Sequence, residues 1–429
     1  MGVTMYDDFL SRFINYIKQE YKTQPIIVSL APGRADFLNT HQDYKGLPVV
    51  PAALNLYVGI GILRFSDKII VESLNLKEKG EEFRDEFSIE KLELVENRWF
   101  GNYLRSCVIE FTRRGFQLKK GFHAVIWATI PIGAGLGSSG ALEVAFVKLL
   151  AELTNITLSP IEIAEIAYIA EHDIMKIPCG RLDQYASSFG NIIVLYPKPP
   201  VKVEKISADL SLAVIDSGIK HATAQIHPVR QKELDLALEM LRNLPNLPEK
   251  LRSKLRGRYY EVAWDQIKLE EIQRFLDQIE DTLAKRIEFT LRMNDLTIVA
   301  IRILKREPLT KRDIEILQRE KIEITKDYFK ILAEIINKQH ELLRDLYDVS
   351  LPELEKIRNA ALDAGAHAVK ISGAGLGGCL IALVDKEKFP NVKIDDLRIG
   401  VTADDRISTW GSFVSNGAGG SCFGKDIAS

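Results

Sequence analysis

Arg34, Asp36, His41, Asp43 and Tyr44 fall within eleven consecutive positions of a 429-residue chain, in the polar stretch APGRADFLNTHQDYKG between two apolar runs. These side chains suit hydroxyl recognition, because a carboxylate accepts from sugar O–H groups while His and Arg donate to oxygen. A solvated loop held by local Asx turns accounts for the same residues. Further on, PIGAGLGSSG sets Gly133, Gly135 and Gly137 at alternate positions before Ser138, Ser139 and Gly140. An apolar pattern of helical period then runs through Leu142, Phe146, Leu149, Leu150 and Leu153. A glycine loop feeding a helix presents free N–H groups and a positive dipole end to an anion, and a polyphosphate is the expected tenant. The Walker pattern needs a Lys before the hydroxyl residue and the dinucleotide pattern needs G-x-G-x-x-G; neither fits here. A ligand-free turn capped by Ser139 is the plain alternative. Two carboxylates complete the candidates: Glu171, near the end of a predicted helix, and Asp183, in a predicted turn. Alone, the first reads as a solvated helix face and the second as a cap.

The elements that must hold these residues follow from periodicity. A helix is predicted over residues 5 to 22, then a strand, IIVSL, running straight into the polar stretch. Strands NLYVGIGILRF and KIIVESLNL precede a charged connection and the helix NRWFGNYLRSCVIEFTRRG. The alternating GFHAVIWATIP delivers the chain to the glycine loop, and SPIEIAEIAYIAEHDIMKI is the helix carrying Glu171. After SLAVIDSGIK, charged Leu-rich segments of helical spacing fill most of the chain from Ala222 to Tyr347. GRYYEVAWDQIKLEEIQRFLDQIEDTL reads there as one or two surface helices. AHAVKISGAGLGGCLIALV is then strand, glycine loop, strand, and the Gly/Ser-rich end of the chain is expected to fray.

Length allows a large core and two domains. A net charge of −2 without a concentrated basic face argues against nucleic-acid binding. The four cysteines are dispersed with no C-x-x-C pair, which argues against a metal centre or disulfide framework and fits a reducing cytosol. Met1 to Gln24 is amphipathic and charged, so neither a signal peptide nor a membrane span is expected, and the location is read as cytoplasmic.

Taken together, the motifs resemble the GHMP kinase superfamily, and within it the galactokinase branch. The family loop A-P-G-R-V-N-L-I-G-E-H-T-D-Y-N-G-G looks like Ala31 to Gly46, its G-L-S-S-S-A is similar to Gly135 to Gly140, and its T-G-A-G-F-G-G resembles Ser372 to Gly378. Two branch-specific stretches match as well: A-E-H…P-C-G-I-M-D-Q looks like AEHDIMKIPCGRLDQ, and W-x-N-Y resembles WFGNY with one extra residue. The order agrees from about residue 28 to 385.

The resemblance implies an α+β, two-domain fold. An N-terminal half like ribosomal protein S5 domain 2 is expected over 1–200, and a ferredoxin-like C-terminal half over 201–429 with a helical insertion at about 245–285. It further implies ATP and Mg²⁺ as cofactors and a small-molecule sugar as partner, in a monomer or homodimer. Asp183 and Arg34 are the implied catalytic pair, with Asp183 at the sugar hydroxyl and Arg34 also facing the γ-phosphoryl group. Ser139 and Glu171 are the implied Mg²⁺ ligands. The implied nucleotide contacts are Gly133, Gly135, Leu136, Gly137, Ser138, Ser139, Gly140, Gly375 and Gly377, with Trp99 and Tyr103 toward the adenine. Arg34, Asp36, Thr40, His41, Asp43, Tyr44, Gly180, Asp183 and Phe289 are the implied sugar contacts.

Departures from the family bear on the sugar. Thr40 stands where the family has Glu, Asn39 where it has Gly, Asp36 where it has Asn, and Phe289 is aligned with a family Tyr that contacts galactose. Exchanging hydroxyl-bonding groups exchanges substrates. Galactose is therefore accompanied by a uronic acid, a pentose and an N-acetylhexosamine as expected acceptors. A kinase for mevalonate, homoserine or shikimate is disfavoured by the H-x-D-Y loop. A non-catalytic sugar sensor is disfavoured by the intact Ser139, Glu171, Arg34 and Asp183.

Overall fold

A computed structural model describes residues 5–96, 99–219, 226–385 and the two-residue strand 422–423. The Gly/Ser-rich end expected to fray, from Thr409, lies, apart from that strand, outside the described residues, as does the start of the Leu-rich region at Ala222.

The first part of the chain builds one sheet and the helices that cover it. Its elements are α1 (Met5–Tyr21), β1 (Ile27–Leu38), β2 (Val50–Ser66), β3 (Lys68–Ser73), α2 (Leu74–Glu78), β4 (Arg84–Ser88), α3 (Gly101–Arg113), β5 (Gly121–Ala128), α4 (Ser138–Leu153), α5 (Pro160–Ile169), α6 (Leu182–Phe189), β6 (Ile192–Tyr196) and β7 (Lys202–Ile206). The second part contributes β8 (Ser211–Asp216), α7 (Ile226–Asn243), α8 (Glu249–Lys254), α9 (Leu269–Leu276), α10 (Asp281–Leu304), α11 (Lys311–Arg319), α12 (Tyr328–Asp345), α13 (Pro352–Asp363), β9 (Ala368–Ser372), β10 (Cys379–Val384) and β11 (Cys422–Phe423). The mixed α+β character matches expectation.

The larger sheet runs β11-β1-β2-β5-β3-β4, with β6 joining β2 to β7; the smaller runs β8-β10-β9. All pairings are antiparallel except β3 with β5. The larger sheet extends to Ile206 and takes β11 from the far end of the chain, while the smaller begins at Ser211.

Two local outcomes differ from the pattern reading. Strand β1 does not end at Leu30 but continues through Arg34 and Asp36 to Leu38, with register shifts against β2 at Pro32/Arg34 and Asp36/Leu38. The polar residues are thus on an irregular strand, where such shifts re-aim side chains. Asp183 sits not in a turn but in the first turn of α6, which is too short to stand out by period. The insertion forms the short helices α8 and α9 with exposed charged faces, as expected, and their apolar faces close a core of their own. Trp264, Leu269, Ile272 and Phe275 are buried in a separate cluster with Leu47, against which Tyr44 packs.

Helix α4 is buried nearly all round, through Val144, Phe146, Val147, Leu149 and Leu150. A helix apolar on every side must lie inside the domain, and this one packs on β1, β2, α3, α5 and α6. It fixes the glycine loop at its N-terminus relative to both carboxylate-bearing segments. Among the described residues no helix is long and apolar enough to cross a membrane.

Candidate active site

The glycine loop reaches α4 through Gly137, which takes a left-handed φ of 71° as the helix N-cap. No side chain caps the helix there, so its first N–H groups are left to a ligand. Ser139 does not cap the turn; it lies inside the first turn of α4, and its hydroxyl acts to hold the Glu171 carboxyl down against the effect of burial. The loop is tied to β1 by a hydrogen bond from the Arg34 N–H to the Leu136 carbonyl at 2.9 Å.

That tie places the Arg34 side chain. Its Nε and Nη2 both donate to Asp183 Oδ1, at 2.8 and 2.7 Å, and Nη1 donates to the Gly135 carbonyl. Gly140 lets α6 come this close, since a Cβ there would lie 2.8 Å from the Asp183 Cβ. The Arg34 side chain is 8% exposed and that of Asp183 27%, so the pair keeps one open side, and it is the carboxylate.

Next to Asp183, Gln184 donates to Glu171 at 2.6 Å and to Glu143 at 3.2 Å. Glu171 lies in a single π-helical turn after α5, Ala170–Ile174, and is 5% exposed, so it is not on a solvated helix face. Burial, and then the charge of Asp183, pushes its carboxyl up to about 7. Glu143, wholly buried one helical turn beyond Ser139, is pushed well above the usual carboxyl range by burial and then by the charge of Glu171. Among the described residues no three His, Cys, Asp or Glu side chains form a metal cage. One hydroxyl beside one buried carboxylate still fits Mg²⁺, which keeps waters and phosphate oxygens as its other ligands.

Past Arg34 the chain bends through Asn39 and His41, both at positive φ. His41 Nε2 lies 3.0 Å from the Ala374 carbonyl, which only accepts, so Nε2 carries the proton. Nδ1 then accepts from the Tyr44 hydroxyl at 3.2 Å, and the Tyr347 hydroxyl donates to that of Tyr44 at 2.8 Å. Burial lowers the His41 pKa well below its usual value and keeps the ring neutral. Asp43 accepts from the Leu182 N–H at 3.3 Å and fills the space left by Gly180, where a Cβ would lie 1.7 Å from Oδ2. Burial and then the charge of Asp183 raise its pKa.

Asp36 is 5% exposed, its Oδ1 has no hydrogen-bond partner, and burial raises its pKa to about 6 against the opposing pull of Lys370 and Arg34. The folded state thus binds the Asp36 proton more tightly than the unfolded chain, and its stabilising share is complete below the unfolded value and lost as pH rises toward 6. Asp36→Asn removes that loss. Between pH 4 and 6, urea midpoints are expected to move in favour of the variant by up to about 3 kcal/mol relative to wild type. A pH-independent difference would contradict the assignment.

The sequence-derived residues do not all converge. Arg34, Asp36, Asp43, Ser139, Glu171, Gly180 and Asp183 do, around the glycine loop. Thr40 is 1% exposed and its hydroxyl accepts from Lys370. Phe289 is fully buried on α10, stacked on Tyr347 at 4.0 Å with the Lys45 ammonium over its ring, one layer behind Tyr44. It stands there because α10 turns this face inward, so matching by local sequence alone misplaced it. The third glycine motif meets the phosphate loop through Gly373 and Gly378, whose Cβ positions lie 2.8 Å from the Gly135 carbonyl and 2.9 Å from that of Ala134; Gly375 rests on Val349, beside Gly377. Trp99 and Tyr103 flank the start of α3, partly exposed.

Sequence reading missed His227, Glu143, Gln184 and Lys370. The His227 ring is 5.1 Å from His41 and 5.4 Å from Tyr44, and its Nδ1 donates to the Pro178 carbonyl at 3.3 Å, leaving Nε2 as an acceptor. Glu143 follows Ser139 at i+4, a legible spacing. His227 carried no local signal.

Models of known families divide along the same lines as these parts. The GHMP kinases N terminal domain matches residues 102–191, the GHMP kinases C terminal domain residues 324–393, and the galactokinase galactose-binding signature residues 18–62. The chain belongs to the GHMP kinases, in their galactokinase-like branch. This GHMP kinase is 26% identical over 369 residues to a galactokinase of Clostridium beijerinckii, covering 84% of this chain and 85% of that one. It is 27% identical over 373 residues to a galactokinase of Thermotoga maritima, covering 85% and 91%. The crystal structure of Lactococcus lactis galactokinase complexed with galactose superposes with a TM-score of 0.69 at 24% identity, over 88% of this chain and 90% of that one. A mevalonate kinase of Methanococcus jannaschii superposes at 0.57 and 19% identity, over 84% and 91%. This GHMP kinase therefore has the two-domain fold of its superfamily and is a kinase-type phosphotransferase.

Proposed function

We propose that this GHMP kinase is a sugar 1-kinase of the galactokinase type, transferring the γ-phosphoryl group of ATP to the anomeric hydroxyl of galactose or a related sugar between halves that divide near residue 200. The observation that carries this reading is the Arg34–Asp183 pair, hydrogen-bonded to the carbonyl of the glycine loop on one side and open on the carboxylate side.

In this mechanism the uncapped N–H groups of α4 hold the phosphates. Asp183 orients the anomeric hydroxyl and takes its proton as the sugar oxygen bonds to the γ-phosphorus and the bond to the ADP oxygen breaks. Arg34 faces Asp183 and the charge that spreads over the transferred group. Ser139 and Glu171 would hold Mg²⁺, which would supply charge neutralisation on the phosphate oxygens. Asp43, Asp36 and the His227 Nε2 supply acceptors for sugar hydroxyls, while His41 and Tyr44 shape the pocket through their mutual bonds.

Galactose leads the panel of acceptors because the galactose-binding signature covers the loop. Galacturonate, arabinose and N-acetylgalactosamine belong beside it because Thr40 replaces a family carboxylate. ADP release with ATP and Mg²⁺ is expected to depend on one of these sugars, with a sugar 1-phosphate as product by phosphorus NMR. Release driven instead by mevalonate, homoserine or shikimate, or by none of these acceptors, would refute the proposal.

A further inference from the structure

Strand β9 reads Ala-Val-Lys-Ile-Ser, and its charged residue points inward. Lys370 is wholly buried. Its ammonium donates to the backbone carbonyl of Asp36 at 2.7 Å, to Thr40 Oγ1 at 2.6 Å and to the carbonyl of Ile371 at 3.0 Å. An ammonium has three donors, so all are engaged, and two of them end on the segment that links Arg34 to His41. Two residues along the same strand, hence on the same face, Ser372 Oγ accepts the Asp36 N–H at 3.0 Å. Alternate side chains of β9 thus grip both sides of the Asp36 peptide unit and the hydroxyl of Thr40.

A buried ammonium is expensive, and an apolar side chain would fill this buried position of β9 at less cost. Burial lowers the Lys370 pKa to about 8, and the charge of Arg34 adds to this while that of Asp36 opposes it. Asp36 in turn has an unpartnered oxygen, so the charge of Lys370 is set against a carboxylate that makes no compensating bond through that atom. The grip also spans the two sheets: β9 belongs to the smaller, whereas Asp36 lies on β1 of the larger.

We propose that Lys370 is the positioning residue of the sugar loop, fixing the segment from Asp36 to Thr40 against β9 so that Asp36 and His41 keep their places on the sugar side, while Arg34 is held separately through its N–H bond to the Leu136 carbonyl. This rests on the sugar-kinase reading above only for its effect on substrate. Thr40 accordingly acts through Lys370 rather than as a free group facing the sugar.

The test compares Lys370→Gln, Lys370→Arg, Thr40→Val and the Gln/Val double variant. Lys370→Gln and Thr40→Val are each expected to raise the KM for sugar by about tenfold while kcat and the KM for ATP stay within about threefold. Lys370→Arg, which keeps the charge, is expected to recover most of the loss. The double variant is expected to be within about twofold of Lys370→Gln alone, because the two groups share one bond. In the sugar-free protein, amide hydrogen exchange over residues 36–45 is expected to quicken in Lys370→Gln and Thr40→Val, with residues 138–153 unchanged. Additive effects, parallel losses for sugar and ATP, or unaltered exchange over 36–45 would overturn the proposal. If Lys370→Gln does not fold, Thr40→Val, which is isosteric, carries the test. If wild type turns over no sugar at all, the kinase reading falls, and the exchange measurement alone decides the role of Lys370.

Discussion

Asp183→Asn is expected to lower kcat by about three orders of magnitude while the protein stays folded, within the roughly 10²- to 10⁴-fold span that a positioned proton acceptor contributes. Asn keeps the shape and leaves an oxygen for the two Arg34 donors, so the fork at 2.7 and 2.8 Å retains an acceptor. What it removes is a group able to take a proton and a negative charge opposite the guanidinium. The sugar KM is expected to change little, because an amide still bonds a hydroxyl, and the loss then falls on the chemical step. Leaving the nearly buried Arg34 without its counter-charge also costs stability, by part of the ~3–5 kcal/mol measured for fully buried pairs, since Asp183 is 27% exposed. Steady-state ADP release, with circular dichroism to monitor folding, checks both halves of the expectation. Near-normal kcat in a folded variant would remove Asp183 from the mechanism.

That the glycine loop would feed a helix was readable before any coordinates, as the structure shows, and the reason is local. The alternating glycines owe their form to a short-range demand, a positive φ at Gly133, Gly135 and Gly137. Such demands leave a mark in consecutive residues. Phe289 shows the opposite case. Its place depends on which face of the 24-residue α10 meets Tyr347, and that is set by α7 and α12 packing on it from other parts of the chain. Lys370 and His227 were illegible for the same reason. Their partners lie 330 and more residues away, in Thr40 and Asp36, or across a fold-dependent gap, in His41. The insertion's surface helices were legible, but the partners of their apolar faces were not. Its apolar residues bury one another and Leu47, and they back Tyr44 through Tyr259 at 6.0 Å. The partition of a helix between surface and core cannot be taken from its own period when the neighbour is unknown.

Arg34→Met is expected to lower kcat by at least about 10³-fold, as removal of a cation acting on a transferred phosphoryl group does elsewhere. It should also leave a kinetic signature that Asp183→Asn lacks. Arg34 opposes the burial-driven rise of both Asp36, where Lys370 opposes it more strongly, and Asp43, while Asp183 acts in the other direction on both. With Met in its place the acidic cluster keeps its burial and mutual repulsion but loses that opposition, so Asp36 and Asp43 take up protons at higher pH than in wild type. The acidic limb of kcat/KM against pH is therefore expected to move upward in Arg34→Met. Arg34→Lys separates charge from geometry. A lysine restores the positive charge, so the limb should return toward its wild-type position. Its single ammonium cannot reproduce a planar fork that reaches Asp183 through Nε and Nη2 while Nη1 holds the Gly135 carbonyl. Most of the kcat loss should therefore persist in the lysine variant. Recovery of kcat without recovery of the limb, or of neither in a folded protein, would mean that the guanidinium acts on the glycine loop alone and not on the carboxylates around the sugar.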